Sequence, residues 1–168
     1  TRAGIPVHRD TRVGLDPGAD RLWPTPAWRG RVIDGLARPV DGGPPLPRGA
    51  RGYKISAPAL PAHRRQLMGG RLHLGVKALD LFTPCCNGQR LGIFAGSGVG
   101  KSTMMSMIAR RSAADVIVVG LIGERGRELN EFLHDTLGPE GLARSVVVVA
   151  TSDQPAMMRR RAAYVTLT

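Results

Sequence analysis

The chain has 168 residues and carries 24 Lys and Arg against 13 Asp and Glu, a formal net charge of +11. That length suffices for one domain with a hydrophobic core, and the hydrophobic fraction of 42% is ordinary for a folded protein. The sequence has no apolar run near the ~20 residues of a membrane-spanning helix. Because the segment Thr1–Gly4 lacks the apolar core of a signal peptide, we expect an internal piece of a longer cytoplasmic protein.

The positive charge by itself suggests nucleic acid, anionic lipid or an acidic protein as a partner. Only Lys54, Lys77 and Lys101 are lysines, so the excess of arginine is typical of coding bias. The basic residues are scattered, and no aromatic residues alternate with them as in strand-binding proteins. We therefore expect no nucleic-acid binding. Cys85 and Cys86 are adjacent, which disfavours a disulfide, and we expect a reduced, half-buried pair.

In chain order, residues 1–28 are polar and rich in proline, and we predict that they form the tail of an N-terminal β domain. A second domain is predicted over residues 29–168. It opens with a short strand and turn at 30–35, and residues 56–70 read as a surface loop. A short helix is predicted at 75–82.

From residue 90 onward, strand and helix patterns alternate. The predicted elements are a strand at 90–94, a helix at 101–111, a strand at 115–122, an amphipathic helix at 125–137, a strand at 145–150 and a helix from Pro155 to about Tyr164. The strands are continuous in Val and Ile, as in sheets that are covered on both faces. This order predicts an α/β fold with a mainly parallel sheet.

A glycine-rich loop, Ala95 to Ser102, lies between the first of these strands and its helix. It matches the phosphate-loop motif, with Ala95 in place of the usual first glycine. Glycines let the backbone turn its N–H groups toward phosphate oxygens, Lys101 reaches the β- and γ-phosphates, and the Ser102 hydroxyl is a ligand for Mg²⁺. We therefore predict ATP and Mg²⁺ as cofactors. The predicted ATP-binding residues are Gly96, Ser97, Gly98, Val99, Gly100, Lys101, Ser102 and Thr103.

Glu124 follows the next buried strand, and the carboxyl ends of parallel strands share one edge of a sheet. Its carboxylate is suited to polarise the water that attacks the γ-phosphorus, or to interact with a helix N-terminus. Spacing alone leaves both roles open. Arg125 and Arg127 are suited to contact phosphate or a neighbouring subunit, whereas Arg127, Glu128 and Glu131 fit a solvated helix face better.

The third strand ends in Thr151-Ser152-Asp153. Asp153 is not assigned as the aspartate that organises Mg²⁺, because that residue usually ends the apolar run directly. One of these three residues as a cap for the helix after Pro155 is an equally good interpretation.

Three segments, 88–102, 118–128 and 143–153, together resemble the flagellar and type III secretion export ATPases, which are relatives of the catalytic subunits of rotary ATP synthases. The segment 83–90 resembles the flagellar members of this family more closely than the members from injectisomes. The resemblance implies a RecA-like P-loop domain over 29–168, truncated at its C-terminus, in a homo-hexamer that binds ATP between subunits. It implies Lys101, Glu124 and Arg125 as catalytic residues, with Arg125 near the γ-phosphate and Ser102 on Mg²⁺.

The same resemblance implies ATP hydrolysis that drives protein export for flagellar assembly. The implied partners are membrane and stalk proteins of the export apparatus, export substrates and their chaperones. The implied location is the cytoplasmic face of the inner membrane, with a peripheral membrane association. The family's Mg²⁺-organising aspartate, arginine finger and adenine pocket are expected beyond residue 168, so this stretch alone should hydrolyse little ATP.

Three alternatives remain. A rotary or vacuolar-type catalytic subunit has the same fold and site, but the segment 120–128 resembles the export ATPases more closely. A RecA-like RNA translocase would use the basic N-terminal half to hold a strand. A non-catalytic regulatory subunit is disfavoured because both Lys101 and Glu124 are present.

Overall fold

The computed structural model describes residues 8–10, 12, 14, 18–96 and 98–168. The strands within these residues are β1 Arg21–Leu22, β2 Val32–Asp34, β3 Tyr53–Lys54, β4 Arg71–Leu72, β5 Cys85–Cys86, β6 Ile117–Ile122 and β7 Ser145–Ala150. The α-helices are α1 Lys77–Phe82, α2 Lys101–Arg111, α3 Gly126–Glu131, α4 Gly138–Ala143 and α5 Ala156–Leu167. A π-helical segment, Phe132–Leu137, joins α3 to α4, and short 3-10 turns lie at Pro26–Trp28 and Ala62–Arg64.

A parallel sheet in the order β2-β7-β6 forms the centre of the fold. Val32 pairs with Val147, and Ile117 pairs with Ser145, so β7 is hydrogen-bonded on both sides. Two antiparallel pairs, β1-β3 and β4-β5, lie outside this sheet. The predicted α/β fold with a parallel sheet is therefore confirmed.

Both faces of the central strand are buried, which explains its unbroken run of valines. Val147 and Val149 pack in a cluster with Val119 and Leu121 of β6 and with Ala109, Phe132 and Leu137 of the helical layer. Val148 and Ala150 pack in a second cluster with Ala162 and Val165 of α5 and with the N-terminal Leu22 and Trp28. Successive residues of a strand point to opposite faces, so β7 joins the two halves of the core.

Several predicted elements are confirmed. The helix over 101–111 and the strand over 145–150 have the predicted bounds. The strand predicted from 115 begins at Ile117, and the helix predicted from 75 begins at Lys77. Between residues 56 and 70 the only regular element is the short 3-10 turn. Cys85 is buried and Cys86 half-buried, and both thiols are free.

The strand predicted at 90–94 is wrong: residues 89–96 form neither helix nor strand. Phe94 is 96% exposed and Leu91 is 44% exposed. An isolated strand leaves its backbone N–H and C=O groups without partners, and no strand within the described part of the chain pairs with this segment. The apolar residues of this segment therefore do not form part of a sheet in the described structure.

The single helix predicted over 125–137 differs from the structure. The α-helix begins at Gly126, widens into the π-helical segment at Phe132, and is followed by α4, which was not predicted. Gly138 has φ of +66°, a value that a continuing right-handed helix does not have, and Pro139 has no N–H to donate. The Gly-Pro pair therefore separates the two helices.

The last helix begins at Ala156, one residue after Pro155, and continues to Leu167, beyond the expected end at Tyr164. The prediction that Thr151, Ser152 or Asp153 caps it is wrong, because its N-cap is Pro155 and no side chain bonds there. A hydrogen bond from the Thr151 side chain instead lowers the pKa of the Asp153 carboxyl, so these side chains interact within their own loop. No helix in the described ranges is long and apolar enough to span a bilayer.

Candidate functional site

The glycine-rich loop leads directly into α2. Gly98 and Gly100 have φ of +77° and +92°, which glycine adopts readily and other residues rarely do. Gly100 is the N-cap of α2, and no side chain caps that end. The first N–H groups of a helix have no partner inside the helix and carry partial positive charge. The start of α2 is therefore open to an anion, as a phosphate-binding loop requires.

The other end of α2 is held by Arg144, which follows α4. Its guanidinium donates hydrogen bonds to the carbonyl oxygens of Arg110 and Ser112, each at 3.0 Å, and to that of Ala114. These oxygens lie at the helix C-terminus, where the helix dipole favours a cation. Within the helix, the Ser106 hydroxyl donates to the Thr103 carbonyl at 2.9 Å. The phosphate loop thus lies at the end of an anchored helix.

A cavity of about 570 Å³ lies beside this loop, between the start of α2, the end of β6 and the face of α3. The loop contributes Lys101 and Ser102 to its wall, and the turn after β6 contributes Glu124. A cation, a hydroxyl and a carboxylate therefore share one concave space. This combination is what phosphate binding, metal ligation and activation of a water molecule require.

Backbone hydrogen bonds fix the turn that carries Glu124. Gly123 has φ of +83°, and its amide donates to the carbonyl oxygen of Ala150 at 2.7 Å. The Ser152 amide donates to the Glu124 carbonyl at 3.0 Å. The ends of β6 and β7 are thereby joined, and Glu124 remains half-buried at the edge of the cavity.

Most of the predicted site residues meet at this cavity. Those that line it are Gly96, Gly98, Gly100, Lys101, Ser102, Thr103 and Glu124. Val99 is 66% exposed, and Arg125 is exposed as the N-cap of α3; neither is among the lining residues. Ser97 lies outside the described residues. The individual roles of all these residues stay predictions.

The cavity also contains residues that the sequence analysis did not assign to it. Glu128 and Glu131 are exposed, as expected for a solvated helix face, yet both line the cavity, together with Phe132 and Thr136. Glu128 lies in the first turn of α3, which begins two residues after Glu124. That spacing is the signal that could have placed Glu128 here.

The donor set suits a hard divalent cation. Mg²⁺ usually keeps several waters and takes only one or two protein oxygens in addition to substrate phosphates. The Ser102 hydroxyl and the Glu124 carboxylate are oxygens of that kind at one cavity. No group of three or more His, Cys, Asp or Glu that could hold a metal occurs in the described part of the chain. The residues present fit a Mg²⁺ ion whose other ligands are waters and nucleotide phosphates.

Residues 75–168 match the nucleotide-binding domain of the ATP synthase alpha/beta family. The chain belongs to this family. It is 55% identical over 162 residues to the flagellum-specific ATP synthase of Caulobacter vibrioides, covering 92% of this chain and 36% of that protein. It is 47% identical over 166 residues to the type 3 secretion system ATPase of Xanthomonas euvesicatoria, covering 96% of this chain and 36% of that protein.

Solved structures give the same relationship. The assembled ATPase EscN of enteropathogenic E. coli, in complex with its central stalk EscO, has a TM-score of 0.80 and 43% identity, covering 88% of this chain and 36% of that one. A prototypical ATPase from the type III secretion system of pathogenic bacteria has a TM-score of 0.78 and 44% identity, covering 87% of this chain and 42% of that one. The expected relationship to flagellar and type III secretion ATPases, within the ATP synthase family, is confirmed. The chain spans about a third of the length of the curated relatives that it matches.

Proposed function

We propose that the protein hydrolyses ATP in a ring-forming motor that drives protein export during flagellar assembly. The observation that carries the proposal is the common cavity of Lys101 and Glu124 next to the uncapped start of α2. Membership of the ATP synthase alpha/beta family supports a nucleotide as the substrate. Several of the similar curated proteins bear the name flagellum-specific ATP synthase, which supports flagellar export over a rotary synthase.

In the proposed reaction, backbone N–H groups of the loop at Gly98 and Gly100 bind the β- and γ-phosphates, and the Lys101 ammonium neutralises their charge. Ser102 would hold Mg²⁺, which would supply further charge neutralisation on the phosphates. Glu124 accepts a proton from a water molecule whose oxygen attacks the γ-phosphorus. The bond from that phosphorus to the β,γ-bridging oxygen breaks, and ADP and phosphate leave. Arg125 stabilises charge near the γ-phosphate.

The proposed assembly is a homo-hexamer with ATP bound at each subunit interface. The relative EscN forms an assembled ATPase with a central stalk, EscO, and we propose a ring and a stalk partner for this protein as well. Export substrates, their chaperones and membrane components of the export apparatus complete the proposed set of partners. The proposed location is the cytoplasmic face of the inner membrane, with a peripheral membrane contact.

The test uses the full-length protein that contains this chain. We expect Mg²⁺-dependent ATP hydrolysis, together with an increase in molar mass by light scattering when nucleotide is added. Deletion of the gene from its host should abolish flagellar filaments, and the parent gene, but not its Lys101→Ala variant, should restore them. Filaments that persist after deletion would contradict the export role. Stimulation of hydrolysis by RNA would favour a strand translocase instead.

A further inference from the structure

A second cavity, of about 550 Å³, lies between the residues around β1, the turn after β2 and Arg161 of α5. We refer to it as the arginine cavity. Its wall contains four arginines and both tryptophans of the chain: Arg21, Arg38, Arg48, Arg161, Trp23 and Trp28. None of these residues lines the cavity beside the phosphate loop.

Among the described residues that line the arginine cavity there is no Asp or Glu, so this part of its wall has an excess of positive charge. Arg38 is paired with Asp34 at 2.6 Å. Among the described residues, the guanidinium groups of Arg21, Arg48 and Arg161 have no carboxylate within ion-pair distance. A concave surface with charges of one sign and weakly polar walls concentrates the electrostatic field and attracts the opposite charge.

Two of these arginines are already held in place. Arg161 donates from Nε to the carbonyl of Gly35 at 2.9 Å and from Nη2 to the carbonyl of Ala19. The Arg48 guanidinium lies over the Trp23 ring, 3.6 Å from its centroid, and stacking of this kind leaves the N–H edges of a guanidinium free to bind carboxylates. Ordering side chains before a ligand arrives reduces the entropy that binding has to overcome.

The rest of the wall is apolar and rigid. Pro39, Pro45 and Pro47 line it with Leu36 and Leu46, and the Trp28 indole is fixed by a 2.8 Å hydrogen bond to the Pro47 carbonyl. A small inorganic anion would contact the guanidinium groups and leave these apolar surfaces in water. A peptide that alternates acidic and apolar side chains would pair with the guanidinium groups and also cover the apolar surfaces.

We propose that the arginine cavity binds an acidic, partly apolar segment of a partner protein. Carboxylates of that segment pair with Arg21 and Arg48, and its apolar side chains pack against Trp23 and the prolines. The net charge of +11 on the chain favours approach of such a segment. This binding is independent of ATP hydrolysis and does not rest on the proposed function.

The test uses the full-length protein and a short synthetic peptide that alternates glutamate and leucine. We expect saturable binding by titration calorimetry, a change in tryptophan fluorescence that is smaller in the Trp23→Phe variant, and weaker binding at higher salt. A peptide that alternates lysine and leucine should not bind. Arg21→Glu and Arg48→Glu should each raise Kd by about tenfold or more, because a charge pair becomes a repulsion.

The matched control is Arg64→Glu, which makes the same charge change at an exposed arginine outside the cavity and should leave Kd within about twofold. Lys101→Ala should also leave Kd unchanged. Equal affinity of the parent and the Arg48→Glu variant, with both folded by circular dichroism, would overturn the proposal. Saturation of the site by inorganic phosphate, or preference for anionic phosphatidylglycerol vesicles over the peptide, would overturn it too.

Discussion

The Ser152 amide donates a 3.0 Å hydrogen bond to the carbonyl oxygen of Glu124. This contact joins the turn after β6 to the turn after β7, two segments that are separated in sequence by α3, the π-helical segment, α4 and β7. Because it acts on the backbone, it fixes the turn and leaves the Glu124 carboxylate free at the cavity edge. A side chain on a turn that is held in this way loses less entropy when it engages a ligand.

Lys101→Ala in the full-length protein should abolish nucleotide binding. The ammonium group lies at the start of α2 on the cavity wall, and each of its hydrogen bonds to the β- and γ-phosphates is worth about 1.5–3 kcal/mol. Binding of a fluorescent ATP analogue measures the effect. Lys77→Ala removes an exposed lysine that does not line the cavity and should bind like the parent. Parent-like binding by Lys101→Ala would show that the phosphates lie elsewhere.

Glu124→Gln should keep nucleotide binding and lower kcat by about a hundredfold or more, because an amide cannot accept a proton from water. Single-turnover hydrolysis separates this loss from an effect on binding. Glu140→Gln makes the same change at an exposed position on α4 outside the cavity and serves as the control. If Glu124→Gln turns over normally, the assignment of the proton acceptor is wrong and Glu128, on the same cavity wall, becomes the next residue to test.

Gly120→Ala should destabilise the protein by about 1–3 kcal/mol through overpacking. A Cβ at this position of β6 would lie 2.8 Å from both Cγ2 and Oγ1 of Thr166 on α5. Thr166→Ala removes both atoms, so the double variant should recover part of the loss in denaturant unfolding. Gly126→Ala adds a methyl group where nothing lies within 4 Å and is the control. Strictly additive effects of the two substitutions would contradict direct contact.

Asp41→Asn should lower the free energy of unfolding by about 1 kcal/mol at neutral pH. Asp41 accepts hydrogen bonds from Arg31 Nε at 2.7 Å and Nη2 at 2.9 Å, and from the amides of Val32 and Gly43. The Arg31 hydrogen bond, supported by the two amides, holds the pKa of the Asp41 carboxyl well below its usual range despite some burial.

The lowered pKa of Asp41 makes its contribution to the free energy of unfolding depend on pH. Because the folded-state pKa of Asp41 lies below that of the unfolded chain, about 3.9, the contribution is complete above that value and is lost as pH falls toward the folded-state pKa. The difference in stability between the parent and Asp41→Asn should therefore be constant above about pH 5 and shrink below about pH 4. Asp135→Asn, at an exposed aspartate with no ion pair among the described residues, should show no such difference. A constant difference down to pH 2 would contradict the Arg31 pairing.

Local rules within the sequence determined a large part of this protein. The run Ser145–Ala150 predicts a buried strand because both of its faces are apolar, and the glycine-lysine pattern before Lys101 predicts a phosphate loop followed by a helix. Each of these predictions depends on residues that are neighbours along the chain. The strand and the helix are confirmed, because the preferences of glycine and of β-branched residues act over a few residues.

The tertiary structure decided the features that depend on contacts between residues far apart in the sequence. Residues 90–94 have a strand-like pattern but form no strand, since a strand exists only where another pairs with it. Glu128 and Glu131 have the pattern of a solvated face, yet the packing of the π-helical segment after α3 against α2 brings them to the cavity of Lys101. Arg161 and Arg48 converge on one cavity although more than a hundred residues separate them in sequence. The proximity of these residues follows from the order of strands in the sheet and from the way in which helices pack on it. Neither can be read from the spacing of neighbouring residues.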